Sequence, residues 1–195
     1  MMSRLKEIKR KTDETAINLE LNIDGEGKYD IDSPVPFLNH LLSSFARHGN
    51  FDLKIKASGD VHVDPHHLVE DIGICLGLAI SSCTEDKSGL KRFGFAIIPM
   101  DDSEVTVSLD LGGRSYLRYN VEILNEKIEN MSTLIIEDFF TALVNNSSMN
   151  LHINKNVGIN SHHILEAVFK AFGIALSAAV KSGGNKSIPS TKGKI

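Results

Sequence analysis

PHHLVEDIGICLGLAISS, residues 65–82, returns as SHHILEAVFKAFGIALSA, residues 161–178. His66, His67, Glu70, Gly77, Ala79 and Ser81 recur as His162, His163, Glu166, Gly173, Ala175 and Ser177, at a constant offset of 96 residues. Asp64 and Ser161 suit the N-cap, where a side-chain oxygen accepts from the unpaired N–H groups of a first turn, and Pro65 suits the first helical position. Each His pair is therefore expected to open a helix. The positive end of the helix dipole disfavours imidazolium there and keeps a ring nitrogen available to a metal. His66 and Glu70 share a helix face, as do His162 and Glu166, whereas the second His of each pair is rotated about 100° away. One ion can hardly take all three side chains of one helix. Two ions, each drawing ligands from more than one helix or subunit, fit the doublets better than a merely polar helix start, which would not repeat with Glu at the same spacing.

Working outward, the same order of elements repeats. Residues 4–10 and 16–24 alternate apolar and polar positions and read as strands. The stretch GEGKYDIDSP is turn-rich, and residues 36–48 place Phe37, Leu38, Leu41, Leu42 and Phe45 on one helical stripe that Gly49 should stop. FDLKIKA is a short strand, and GDVHVDP a connecting loop. Strands follow at 91–98, 103–111 and 114–124, then a helix at about 132–146, the strand MNLHINK and the second doublet helix. These elements predict an α+β fold of two duplicated half-domains, each a mostly antiparallel sheet with two helices packed on one face. The first half-repeat spans 1–90, the second 91–180, and 181–195 form a tail.

Aligning the halves points to further ligands. Matching Leu53 and Ile55 to Leu151 and Ile153 puts His40 opposite Asp138, and matching Ile17 and Leu19 to Val105 and Val107 puts Glu14 opposite Asp102. Each half thus offers one more metal-capable side chain placed equivalently to its doublet. His48, His62 and His152 have no such internal partner, although His48 could face a site at its helix end. The tail KSGGNKSIPSTKGKI has the composition of a mobile arm.

With 195 residues, 42% hydrophobic and 24% charged, and a formal net charge of −4, the chain has ordinary globular chemistry, so neither nucleic acid nor membrane is expected as a partner. Cys75 and Cys83 fall in an apolar helical pattern without metal-finger spacing, which reads as two core thiols of a reducing, cytoplasmic compartment.

The motifs RKTDET (10–15), FLNH (37–40), RHGNFDL (47–53), DPHHLVED (64–71), RFGFAIIPMDD (92–102), DLGGRSYL (110–117), EDFFTAL (137–143), SHHILEAVFKA (161–171) and PSTKG (189–193) together resemble the imidazoleglycerol-phosphate dehydratase family of histidine biosynthesis. The resemblance implies a ribosomal protein S5 domain 2-like half-domain, two Mn2+ per active site, and a 24-subunit octahedral homo-oligomer with active sites between subunits. It implies a metal set of His40, His66, His67, Glu70, His162, His163 and Glu166, with Asp138 where the family often carries His. Arg92, Arg114, Lys170, Ser190 and Lys192 match phosphate-holding positions; Thr191 is expected beside them in a tail that caps the substrate, and His40 and His48 are expected to contact it. Glu14 matches a substrate-contacting carboxylate. Asp102 stands for a usual Glu, and Asn39 for a usual Asp.

The implied reaction is loss of water from D-erythro-imidazole glycerol phosphate to give imidazole acetol phosphate. The hydrogen removed lies next to no carbonyl, so the imidazole must relay electrons. Two Lewis acids on its ring nitrogens would favour an imidazolate that expels the hydroxyl through a diazafulvene. Glu14 is the candidate for proton transfer, with a nearby metal-bound water as its competitor and His67, Glu70 and Glu166 as further catalytic candidates. A two-metal hydrolase and a noncatalytic metal scaffold are the competing classes.

Overall fold

The computed structural model describes residues 4–124, 127–128, 131–184 and 187–193. Strands β1 (Leu5–Lys11), β2 (Thr15–Asn22), β3 (Tyr29–Asp32) and β4 (Asp52–Gly59) form one sheet in the order β1-β2-β4-β3. A second sheet has the order β5-β6-β10-β7, from β5 (Phe93–Met100), β6 (Ser103–Asp110), β7 (Tyr116–Asn120) and β10 (Asn150–Val157). In both, two antiparallel pairs are followed by one parallel pair. Even the register repeats: Leu19 faces Ile55 and Leu21 faces Leu53, while Val107 faces Ile153 and Leu109 faces Leu151. Alternation turns one face of each sheet inward, as in the buried Ile17, Leu19 and Leu21 of β2 and Val105, Val107 and Leu109 of β6.

Among the described residues, four helices fill the space between the sheets: α1 (Pro36–Gly49), α2 (His66–Cys83), α3 (Ile135–Ser147) and α4 (Ser161–Val180). α2 packs on β1 and β2, and α4 on β5 and β6. The helices also pack across the repeat, α1 against α4 and α2 against α3. Glycines allow that approach, since a Cβ at Gly173 would stand 2.5 Å from the carbonyl oxygen of Phe45, and one at Gly73 2.5 Å from that of Phe139. Phe45, Phe139, Phe140, Phe169 and Phe172 interlock beside these crossings in one continuous core. Although α4 is long and apolar enough to cross a membrane, 72% of its apolar window is buried in the protein.

Several local expectations are corrected. The stretch read as turn-rich contains β3, a four-residue edge strand too short and too exposed to show alternation. A two-residue hairpin, β8 (Lys127–Ile128) with β9 (Met131–Ser132), precedes α3 and was not expected. Gly49 does not stop α1; it is the last helical residue, and Asn50 takes the left-handed conformation at φ 56°. Pro65, not Asp64, occupies the cap position of α2, with Asp64 Oδ1 accepting from the His66 N–H at 2.7 Å. Asn160, not Ser161, caps α4 by accepting from the His162 and His163 N–H groups, while Ser161 is the buried first helical residue. Both His pairs nonetheless open their helices.

Candidate metal and phosphate site

The pairing of helices across the repeat decides which donors meet. α1 delivers His40 to α4, where His40 Nε2 lies 3.2 Å and His162 Nε2 3.3 Å from Glu166 Oε2. All three ligand atoms lie within 4.8 Å of one another. Phe37 packs on both rings and limits their freedom, with centroids 5.1 Å from His162 and 6.3 Å from His40. Burial alone would raise the Glu166 carboxyl, yet hydrogen bonds from Lys170 and His40 carry it down to about 2, so the ionised ligand form is held.

The counterpart on α2 and α3 is looser. His66 Nε2 is 3.7 Å from Glu70 Oε2, and His66 Nδ1 is 3.5 Å from Asp138 Oδ2. His40 thus joins the second doublet and Asp138 the first. In each case the helix that supplies the extra donor packs on the opposite half.

The second His of each pair meets the turn of a hairpin in its own half. His67 Nδ1 lies 3.1 Å from Asp60 Oδ2 and 3.7 Å from Glu14 Oε2, and these three residues form another cluster of possible ligands. The Asp60 contact, with the charge of Glu14 beyond it, raises His67 above the ordinary imidazole value. His163 Nδ1 lies 2.7 Å from Asp102 Oδ1 and its Nε2 3.5 Å from Asp101 Oδ2. Asp102 also accepts from the Ile159 and Asn160 backbone N–H groups, and these donors with His163 hold its carboxyl far below the usual range. A carboxylate on Nδ1 fixes the ring and leaves Nε2 as the nitrogen for a metal. The two rings of each doublet stand nearly perpendicular, 6.1 Å apart at 85° for His66 and His67 and 6.2 Å apart at 86° for His162 and His163, as their separation around the helix requires.

Asp60 and Asp101 were not singled out from sequence. Asp101 adjoins Asp102 in the turn that parallels Glu14, which was a usable signal; Asp60 lay in a segment read only as a connector. Asp71, next to Glu70, is a third: it is buried, accepts from Thr15 Oγ1, and pairs with Arg10 Nε at 2.9 Å, tying the Glu14 hairpin to α2.

Of the expected phosphate-binding residues, Arg92, Arg114, Ser190, Thr191 and Lys192 line one cleft of about 780 Å³. Arg92 donates from Nε and Nη2 to Asp110 and from Nη1 to the Pro189 carbonyl at 2.8 Å, which seats the tail beside it. Lys170 does not line that cleft. Its Nζ lies 2.9 Å from Glu166 Oε1, near His48, whose imidazole is lowered by burial and then by the Lys170 charge. On a single chain the expected phosphate residues therefore fall into two groups.

A sequence profile described as imidazoleglycerol-phosphate dehydratase matches residues 33–176. The chain belongs to the imidazoleglycerol-phosphate dehydratase family. The chain is 46% identical over 195 residues to the imidazoleglycerol-phosphate dehydratase of Desulforudis audaxviator, covering all of both. It is 50% identical over 192 residues to that of Methanocaldococcus jannaschii, covering 98% of this chain and 96% of the other. Two solved members, from Staphylococcus aureus and Pyrococcus furiosus, superpose with a TM-score of 0.83 at 36% identity. They cover 91% and 96% of this chain, and 99% and 100% of their own.

Proposed function

We propose that this chain, a hydro-lyase by family, dehydrates imidazole glycerol phosphate in histidine biosynthesis at a site that holds two divalent metal ions, Mn2+ by resemblance. The observation that carries this reading is the convergence of His40, His162 and Glu166 across the repeat, with ligand atoms within 4.8 Å of one another, beside a looser counterpart in which His66 stands between Glu70 at its Nε2 and Asp138 at its Nδ1. Mixed imidazole and carboxylate donors suit a first-row divalent ion, and the carboxylates shift the preference toward a harder one. His67 and His163 supply the remaining imidazoles. Metal bound there would act as a Lewis acid on the ring of the substrate.

The protein's own groups divide the rest of the work. Arg92 and Arg114 would bind the phosphate through planar, charge-assisted hydrogen bonds, with Ser190, Thr191 and Lys192 closing over it and Lys170 with His48 approaching from another subunit. Glu14 is exposed, lies beside His67, and is the group proposed to take the substrate proton. Asp71 would keep that carboxylate in place through Thr15. Residues 1–90 and 91–180 act as the two half-repeats and 181–195 as the cap.

Two features support assembly, proposed as the 24-subunit particle in the cytoplasm. The phosphate groups are split on one chain, and edge strand β5 exposes an apolar column of Phe93, Phe95 and Ile97. The test is direct: metal-free protein reconstituted with Mn2+ should convert imidazole glycerol phosphate to imidazole acetol phosphate. Absence of that product under every divalent metal would overturn the reading.

A further inference from the structure

Glu14 and Asp102 occupy equivalent hairpin turns of the two repeats, yet they are held differently. Asp102 is locked in place: its Oδ2 accepts from the Ile159 and Asn160 backbone N–H groups at 2.9 and 3.1 Å, and its Oδ1 from Ser103 Oγ at 3.3 Å. That Oδ1 also lies 2.7 Å from His163 Nδ1. Glu14 has no such anchor. Its side chain is 57% exposed, its Oε2 stands 3.7 Å from His67 Nδ1, beyond hydrogen-bond reach, and among the described residues no backbone N–H donates to its carboxylate.

The difference comes from one loop position. β10 carries a bulge between Lys155 and Val157, so Ser58, which pairs with Ala16, corresponds to Val157, which pairs with Glu104. Gly59 then falls on Gly158, and Asp60 on Ile159. In the second half this position uses only its N–H, which holds the Asp102 carboxylate. In the first half its N–H donates to the Glu14 backbone carbonyl at 3.2 Å, and its side chain, 21% exposed, meets His67 Nδ1 at 3.1 Å. A neutral imidazole has one N–H to give. Distance assigns that of His67 to Asp60 and leaves Glu14 beside the ring without that duty.

We propose that the two repeats differ in which carboxylate orients the second imidazole of the doublet: Asp102 orients His163, Asp60 orients His67, and Glu14, unlike Asp102, is left free to carry a proton. Asp60 is a positioning residue. It acts through His67, turning Nε2 toward a metal and keeping Glu14 from being drawn onto Nδ1. The site therefore has a base at one hairpin and a structural carboxylate at the other, although the repeat pairs the two. This inference rests on the two-metal reading given above.

The test compares kcat with Mn2+ binding to metal-free, full-length variants, reading the free ion by electron paramagnetic resonance. Asp60→Asn and Asp60→Leu have nearly the same shape and no charge, and only asparagine still accepts the Nδ1 proton. Asp60→Leu should weaken Mn2+ binding about 10–100-fold, the usual cost of losing such a partner, and Asp60→Asn should restore most of it. Asp102→Leu should behave as Asp60→Leu does. Glu14→Ala should lower kcat and leave Mn2+ binding unchanged. Because Glu14 is exposed, that variant keeps its fold and decides the matter even where Asp60→Leu does not fold. Equal Mn2+ binding by folded Asp60→Leu and Asp60→Asn, or Mn2+ binding weakened in Glu14→Ala, overturns the inference while the two-metal reading stands. No Mn2+ on the unaltered protein overturns both.

Discussion

His40 Nε2 lies 3.2 Å from Glu166 Oε2, although one residue belongs to the first repeat and the other to the second. That contact depends on the close crossing of α1 and α4, where Gly173 faces the Phe45 carbonyl. Gly173→Ala should force the helices apart and cost about 1–3 kcal/mol, the usual penalty of overpacking. Urea unfolding measures that loss. Metal titration should show the His40 cluster weakened and the His66 cluster retained. Native stability in the alanine variant would mean that the crossing yields without strain.

Assembly should depend on the doublets. If His67 and His163 present their outer nitrogens to metal on a neighbouring subunit, chelation, or His66→Ala combined with His162→Ala, should abolish turnover and shift the proposed 24-subunit particle toward smaller oligomers. Sedimentation velocity reads the shift. A full-sized particle in the rigorously metal-free double variant would separate assembly from metal binding.

Much of this was legible because the chain is written twice. The doublets gave the helix starts, and the two offsets that pair Leu19 with Val107 and Leu53 with Leu151 are reproduced in the register of both sheets. What stayed hidden is set by packing in three dimensions. Spacing along the chain could not show that α1 would lie on α4, so which doublet His40 meets was not legible. Asp60 was hidden for a related reason, because a loop residue joins a site only once the hairpin of Glu14 is folded against it. The caps slipped by one residue, as helix boundaries commonly do.

The two thiols should be inert while the protein is folded. Cys75 and Cys83 are buried, and burial pushes both thiols up to about 11, so almost no thiolate exists near neutral pH. Alkylation by iodoacetamide at pH 8 should label neither in the native protein and both in urea. Rapid native labelling of either residue would show that the core around α2 opens readily.

The tail brings composition and structure into opposition, and the resolution is testable. Its Gly, Ser and Lys content describes a mobile arm, yet Ser187 accepts from the Gly89 N–H and Pro189 accepts from Arg92. Arg92 has five N–H donors, of which two serve Asp110 and one serves Pro189, so donors remain for a phosphate. The guanidinium can therefore hold the tail and the anion together, and a bound phosphate would give Ser190 and Lys192 the acceptor that orders them further. Deleting residues 186–195 should leave fold and metal content intact while weakening substrate binding roughly 10–100-fold, the scale of one or two lost charge-assisted hydrogen bonds. Turnover should fall too, since closure excludes water. Arg92→Lys, which keeps the charge but loses the fork, should weaken binding less. Hydrogen exchange at residues 187–193 should slow when a phosphate-bearing substrate analogue is added. Equal exchange with and without the analogue, together with unchanged KM after the deletion, would make the contact with Arg92 incidental and return the tail to the appendage that its composition describes.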